Sequence, residues 1–160
     1  MLSRHAPILG SRRFTWLDEA ACEAHARALA GQNALADAFI ELQGPLGAGK
    51  TTFVRHLLRA LGVAGRIKSP TYAVLESYEA QGHAISHFDF YRFNDPREWL
   101  DAGFREIFAA PGLKLAEWPD KAGDLLPVAD LCLHIEPGED GDQRQVLAEA
   151  RTPRGLELLA

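Results

Sequence analysis

The sequence predicts a single α/β domain whose sheet is mixed parallel and antiparallel and flanked by helices. Three observations carry this. A strand-like run, Ala38 to Gln43 (AFIELQ), leads into a glycine-rich loop and then without a break into an amphipathic helical segment. Two more strand-like runs, Tyr72 to Tyr78 and Ala84 to Tyr91, follow that helix on either side of the turn-prone EAQGH segment. Such spacing favours a hairpin, and an antiparallel pair so soon after a strand-loop-helix unit makes the sheet mixed. The chain has 160 residues, 47% hydrophobic and 24% charged, which suits one soluble core. A chain of this size hides roughly two thirds of its extended surface on folding. The domain is read as residues 1–160, with 1–14 and 151–160 assigned only as terminal segments.

In chain order, the first helix is expected from Trp16 to about Ala30, with Thr15 as N-cap and Asp18 answering it in a capping box. Leu17, Ala21, Ala24, Ala28 and Leu29 supply its apolar stripe, and Gly31 stops it. After the AFIELQ strand, the helix from Lys50 to Leu61 turns Phe53, Leu57, Leu58 and Leu61 to the core, and Gly62 ends it. Beyond the hairpin, Asp95, Pro96 and Glu98 form a compact helix start with proline in the first helical position. Gly103 limits that helix, and Phe104 to Phe108 make one more turn. Leu113 to Glu117 reads as a short buried strand, followed by the WPDKAGDLLP connection, whose prolines break regular structure. Leu131 to Ile135 and Arg144 to Ala150 are closing strands on either side of a PGEDGDQ turn.

The chemistry centres on Gly44 to Thr51, GPLGAGKT, which satisfies the full phosphate-loop pattern in the required strand-loop-helix setting and makes the domain P-loop NTPase-like. Backbone amides around Gly47, Ala48 and Gly49 converge on phosphate oxygens, and the first helical turn points unpaired N–H groups at the same anion. Gly44, Pro45, Leu46, Gly47, Ala48, Gly49, Lys50, Thr51 and Thr52 are therefore the expected nucleotide-binding run. Lys50 reaches the β and γ phosphates, Thr51 places its hydroxyl on Mg2+, and Thr52 supports them from behind.

Such a loop needs carboxylates for the magnesium. Asp89 in His87-Phe88-Asp89-Phe90-Tyr91 is the first candidate, because period two puts His87, Asp89 and Tyr91 on one strand face and Phe88 and Phe90 on the other. Glu117, at the end of LKLAE, is the second, either as a metal-associated group or as the residue that orients the attacking water. Thr71 in the SPTY segment could use its hydroxyl or amide to sense the γ phosphate or to complete magnesium coordination, as a switch loop does.

Composition narrows the field. Lys and Arg total 17 against 22 Asp and Glu, a net charge of -5, which argues against a broad basic surface for nucleic acid while leaving room for a local patch. Cys22 and Cys132 are isolated and read as small buried residues, not as a disulfide framework. The opening MLSRHAPILG lacks a signal-peptide core and no apolar run approaches 18 residues, so a cytoplasmic protein without a membrane partner is expected.

Taken together and in order, GPLGAGKTT, SPTY, HFDFYR and AEWPD resemble the TsaE (YjeE) family, the P-loop ATPases of bacterial tRNA threonylcarbamoyladenosine biosynthesis, over about Thr15 to Ile135. The resemblance implies a small mixed α/β ATPase domain with Lys50, Asp89 and Glu117 in catalysis, Thr51, Asp89 and Glu117 about Mg2+, and Thr71 as a switch threonine with Ser69 and Pro70 completing its turn. His87, Tyr91 and Arg92 match the other polar positions of an HxDxYR motif, and Trp118 matches an aromatic residue that packs near nucleotide or partner. Phe90 and Ala116 replace aliphatic residues usual in the family. The resemblance further implies ATP as the nucleotide, TsaD and TsaB as partners that stimulate hydrolysis, and tRNA reached indirectly through that complex to support repeated modification of adenosine 37.

Two other readings stay open on the residues alone. A small-molecule kinase would use the same loop to phosphorylate a hydroxyl, though no lid or acceptor signature occurs. A nucleotide-controlled assembly module would need binding more than hydrolysis. A GTP switch lacks its NKxD sequence, and a zinc hydrolase built on His87, Asp89 and Glu117 would leave the phosphate loop unexplained.

Overall fold

The structure, a computed structural model, describes residues 6–68, 70, 74–93, 97 and 103–159. In chain order the elements are β1 (Gly10–Trp16), α1 (Glu19–Ala30), a 3-10 turn (Asn33–Asp37), β2 (Phe39–Gln43), α2 (Lys50–Ala60), β3 (Leu75–Ala80) and β4 (His83–Asp89). There follow α3 (Phe104–Ala109), β5 (Leu113–Glu117), a second 3-10 segment (Pro119–Leu125), β6 (Leu131–Pro137), β7 (Arg144–Ala150) and α4 (Pro153–Leu159). The strands form one seven-stranded sheet ordered β1-β7-β6-β2-β5-β4-β3. Its centre, β6-β2-β5-β4, is parallel, while β7 pairs antiparallel with β6, β1 antiparallel with β7, and β3 antiparallel with β4. The mixed sheet expected from the hairpin is therefore present.

Both faces of the central strands are covered, which is why β5 is buried at all five positions. Ile40, Leu42, Leu113, Leu115, Leu133 and Ile135 face α1 and α2, which contribute Cys22, Ala26, Leu29, Phe53, Val54, Leu57 and Leu58. Phe39, Phe88, Phe90 and Ala116 point the other way, under Phe104, Ala122 and Leu126. The alternation read in HFDFY thus holds: Phe88 and Phe90 pack in the second core while His87 and Asp89 lie on the helix side. Both cysteines are buried and free, as expected.

Several local expectations are corrected. Helix α1 starts at Glu19, not Trp16, because Asp18 itself is the N-cap: its backbone is extended and its carboxylate accepts from Ala21 N–H at 2.9 Å. Thr15 instead belongs to β1, where its hydroxyl donates to Gln145 across the strand pair at 3.0 Å. The buried stripe of α1 is Cys22, Ala26 and Leu29, and Leu17 is 68% exposed. The hairpin turn is shorter than EAQGH. Glu79, Ala80 and His83 join the ladder, and Gln81 and Gly82 alone make the turn with φ of 53° and 78°, the two positive values that a tight hairpin requires.

WPDKAGDLLP is not merely irregular: it carries the second 3-10 segment, interrupted at Gly123. Both terminal segments hold structure within the described residues. GSRRFTW reads as polar because it is an edge strand, and α4 packs against β7 and β1. Helix α2 stops as expected, with Gly62 at φ 98° and Val63 N–H returning to Leu58 O. The expected helix start at Asp95, Pro96 and Glu98, and Ser69, Thr71 and Tyr72 of SPTY, lie outside the described residues. Among the described residues no helix is long and apolar enough to cross a membrane.

Candidate nucleotide site

Strand β2 delivers the chain to Gly44 at the C-terminal edge of the parallel strands, the end at which open α/β sheets place their ligands. Gly44 has φ 148°, and a Cβ there would lie 2.1 Å from the Ile135 carbonyl oxygen, so the chain can leave β2 in this direction only as glycine. Gly49 caps α2 in the left-handed region with no side-chain cap. Among the described residues no side chain caps the N–H groups of the first helical turn, as an anion site requires.

Lys50 is 5% exposed. Its ammonium donates to the carbonyls of Gly44 and of Pro45, the latter at 3.0 Å, and sits 4.3 Å from the centre of the Trp118 ring. Burial pushes its pKa down, against the pull of Glu117 and Asp89. Gly44 and Pro45 therefore act at the base of the loop, through their carbonyls. Leu46, Gly47, Ala48, Gly49, Lys50, Thr51 and Thr52 line a cleft of about 440 Å³ together with Pro70, Val74, Asp89, Tyr91, Arg92, Glu117, Trp118 and Arg144.

Across the cleft, Asp89 and Glu117 are register partners at the ends of β4 and β5. The Thr51 hydroxyl donates to Glu117, at 3.0 Å from Oε1 and 3.3 Å from Oε2. Glu117 is 2% exposed, and its Oε2 lies 2.6 Å from His87 Nε2. Asp89 accepts the Tyr91 N–H at 2.9 Å. Burial raises the Asp89 pKa, the Tyr91 hydrogen bond lowers it, and the neighbouring Glu117 raises it further. Tyr91 is 41% exposed and turns its ring to Trp118, with centroids 5.0 Å apart. Trp118 can present its ring there because its backbone adopts φ 56°, which turns the chain directly after Glu117. Lys50, Thr51, Asp89 and Glu117 are thus brought together; Thr71 falls outside the described residues.

Two carboxylates and one hydroxyl form a hard-oxygen donor set suited to Mg2+. Among the described residues no group of three or more His, Cys, Asp or Glu is arranged to hold an ion alone. Mg2+ is ordinarily held by one or two carboxylates and completed by substrate phosphates and water, so this sparse set fits it and does not fit zinc.

Arg144 escaped the sequence reading. There it is only the first residue of a closing strand, yet its Nε donates to the Ala48 carbonyl at 2.8 Å and its Nη1 to the carbonyls of Gly141 and Gln143. It ties the β6–β7 turn to the phosphate loop. Only the antiparallel return of β7 beside β6 could have revealed it.

Residues 17–146 match the family described as threonylcarbamoyl adenosine biosynthesis protein TsaE. The chain belongs to the TsaE family. The matched span contains every residue of the cleft, Arg144 included. The chain is 38% identical to TsaE of Haemophilus influenzae over 117 residues, 73% of this chain and 74% of that one. It is 35% identical to TsaE of Bacillus subtilis over 107 residues, 67% of this chain and 66% of that one. Among solved structures, YdiB of Bacillus subtilis superposes with a TM-score of 0.76 at 27% identity, covering 96% of this chain and 95% of that one. That likeness covers more of the chain than the matched sequence span of residues 17–146.

Proposed function

We propose that this TsaE-family chain is a Mg2+-dependent ATPase that works with TsaD and TsaB to sustain repeated threonylcarbamoylation of tRNA adenosine 37 in the cytoplasm, meeting tRNA through that complex. The observation that carries the reading is that Lys50 and Thr51, on the first turn of α2, face Glu117 and Asp89 across one cleft at the end of the parallel strands. Magnesium held by Thr51 and Asp89, with Glu117 beside them, would neutralise charge on the phosphate oxygens.

The chain's own groups do the rest. Lys50 exchanges the carbonyls of Gly44 and Pro45 for the β and γ phosphates of ATP, gaining a charged acceptor in place of two neutral ones. The amides of Gly47 to Thr51, with Thr52 behind them, bind the phosphate chain. Thr51 turns its hydroxyl away from Glu117, and the released carboxylate oxygen orients the attacking water. Thr71 completes the γ-phosphate contact as a switch residue. Catalysis is then mainly positioning and stabilisation of charge that is already in place.

The test is reconstitution with TsaD and TsaB. Lys50→Ala is expected to fold, to lower orthophosphate release by about 100- to 1000-fold as loss of a charge-stabilising donor does, and to abolish multiple rounds of tRNA modification. Wild-type turnover by Lys50→Ala would reject the ATPase reading. A phosphorylated acceptor in place of orthophosphate would turn it into a kinase.

A further inference from the structure

His87 is the most deeply buried polar side chain beside the cleft, 1% exposed, and the chemistry above gives it no task. It stands on β4 two residues before Asp89 and opposite Leu115 of β5, so its ring lies on the helix-side face next to Glu117. The Nε2 to Oε2 distance is 2.6 Å between side chains that are 1% and 3% exposed. Nδ1 is buried and has no hydrogen-bond partner among the described residues. An ionised carboxylate only accepts, so the hydrogen between these atoms belongs to Nε2. A proton on Nδ1 would leave a buried N–H with nothing to bind, so Nε2 is the ring nitrogen placed to donate.

The two oxygens of Glu117 are therefore unequal. Oε2 is held by the buried His87, while Oε1 makes the shorter contact to Thr51, a residue that lines the cleft. We propose that His87 is a positioning residue for ATP turnover: it locks Glu117 through Oε2, so that Oε1 alone is released to the cleft when Thr51 turns away. Three side-chain torsions would otherwise let the Glu117 carboxylate follow the Thr51 hydroxyl or rotate both oxygens toward the metal. A buried donor on the inner oxygen prevents this. The inference rests on the reading of Glu117 given under Proposed function.

Two amide replacements separate donor geometry from packing. Glutamine can place its amide N–H near the position of Nε2, whereas asparagine reaches only to that of Nδ1. With TsaD and TsaB present, His87→Asn is expected to lower turnover by about 10- to 100-fold, the usual cost of losing an outer-shell partner, with fluorescent-nucleotide affinity unchanged. His87→Gln should recover most of the rate. In a Glu117→Ala background, His87→Asn should cost nothing further, because His87 acts through Glu117. Imidazole 15N spectra of the protein without nucleotide or metal should show a protonated Nε2 and a bare Nδ1, a readout independent of activity.

Equal rates for the Asn and Gln variants, additive losses with Glu117→Ala, or a protonated Nδ1 would each overturn the assignment. Failure of the ATPase reading is separately visible: Lys50→Ala would then turn over like wild type whatever happens at His87. Inactive Lys50→Ala and Glu117→Ala beside fully active His87→Asn would remove only the positioning role.

Discussion

His25 is set among Phe14, Trp16 and Phe53, with ring centroids 4.4, 5.6 and 5.9 Å away. Its Nδ1 accepts the Trp16 indole N–H at 3.1 Å, so the neutral ring is what the packing accommodates. Burial, helped by the Arg12 charge, lowers its pKa from 6.5 to about 4. Above pH 6.5 the ring is neutral in both folded and unfolded chains and costs nothing. Between pH 6.5 and about 4 the unfolded chain takes up a proton that the folded one refuses, so stability falls as pH drops through this window. The loss is on the order of 3 kcal/mol before allowance for the partial exposure of the ring. His25→Phe should flatten that slope in urea-unfolding midpoints measured at pH 7 and pH 5. An undiminished slope would mean that another group carries it. In sequence, His25 is one more polar residue inside a helical segment; its aromatic surroundings come from β1 and α2 and are invisible there.

At the scale of elements, α1 shows how two adequate capping residues compete. Thr15 and Asp18 both suit an N-cap, and the 16–30 periodicity alone favoured the longer helix. Pairing of Gly10–Trp16 with β7 decides the matter, because Trp16 gains more as the buried end of a strand, stacked 5.4 Å from Phe53, than as a first helical residue. Asp18→Ala should therefore cost about 1 kcal/mol as loss of a cap, while Thr15→Ala should leave helicity unchanged; circular dichroism with chemical unfolding distinguishes them. The opposite ranking would restore the longer helix. Helix α2 was legible almost to the residue, since glycine loop, apolar spacing and Gly62 are all local. β3 and β4 were legible as a hairpin, though the turn was overestimated: Glu79 and His83 look like turn residues until cross-strand pairing recruits them.

For the molecule as a whole, the C-terminal segment is a clasp on the sheet. Asp130 accepts the Phe39 N–H at 2.7 Å and the Thr152 hydroxyl at 2.6 Å, joining the start of β2 to the start of α4. Gly155 brings α4 so close that a Cβ there would lie 1.9 Å from the Asp130 carbonyl oxygen and 3.1 Å from Ala150 Cβ. Gly155→Ala must push α4 outward. It is expected to destabilise the fold by about 1–3 kcal/mol, as overpacking does, while nucleotide affinity stays at the wild-type value because the cleft lies elsewhere. Wild-type stability in denaturant would show that α4 is not so closely docked.

The order of the segments around GPLGAGKT and the alternation in HFDFY are properties of neighbouring residues, and the sequence by itself determined them: a phosphate loop on a strand-helix unit, a mixed sheet, and Asp89 and Glu117 at strand ends. Contacts between distant segments needed the tertiary structure. Thr51 meets Glu117 across 66 residues, His87 meets Glu117 across 30, and Arg144 reaches Ala48 across 96. No local propensity encodes such meetings. They follow from strand order and register, which set β4 beside β5 so that Asp89 faces Glu117, and return β7 beside β6 so that its first arginine arrives at the phosphate loop.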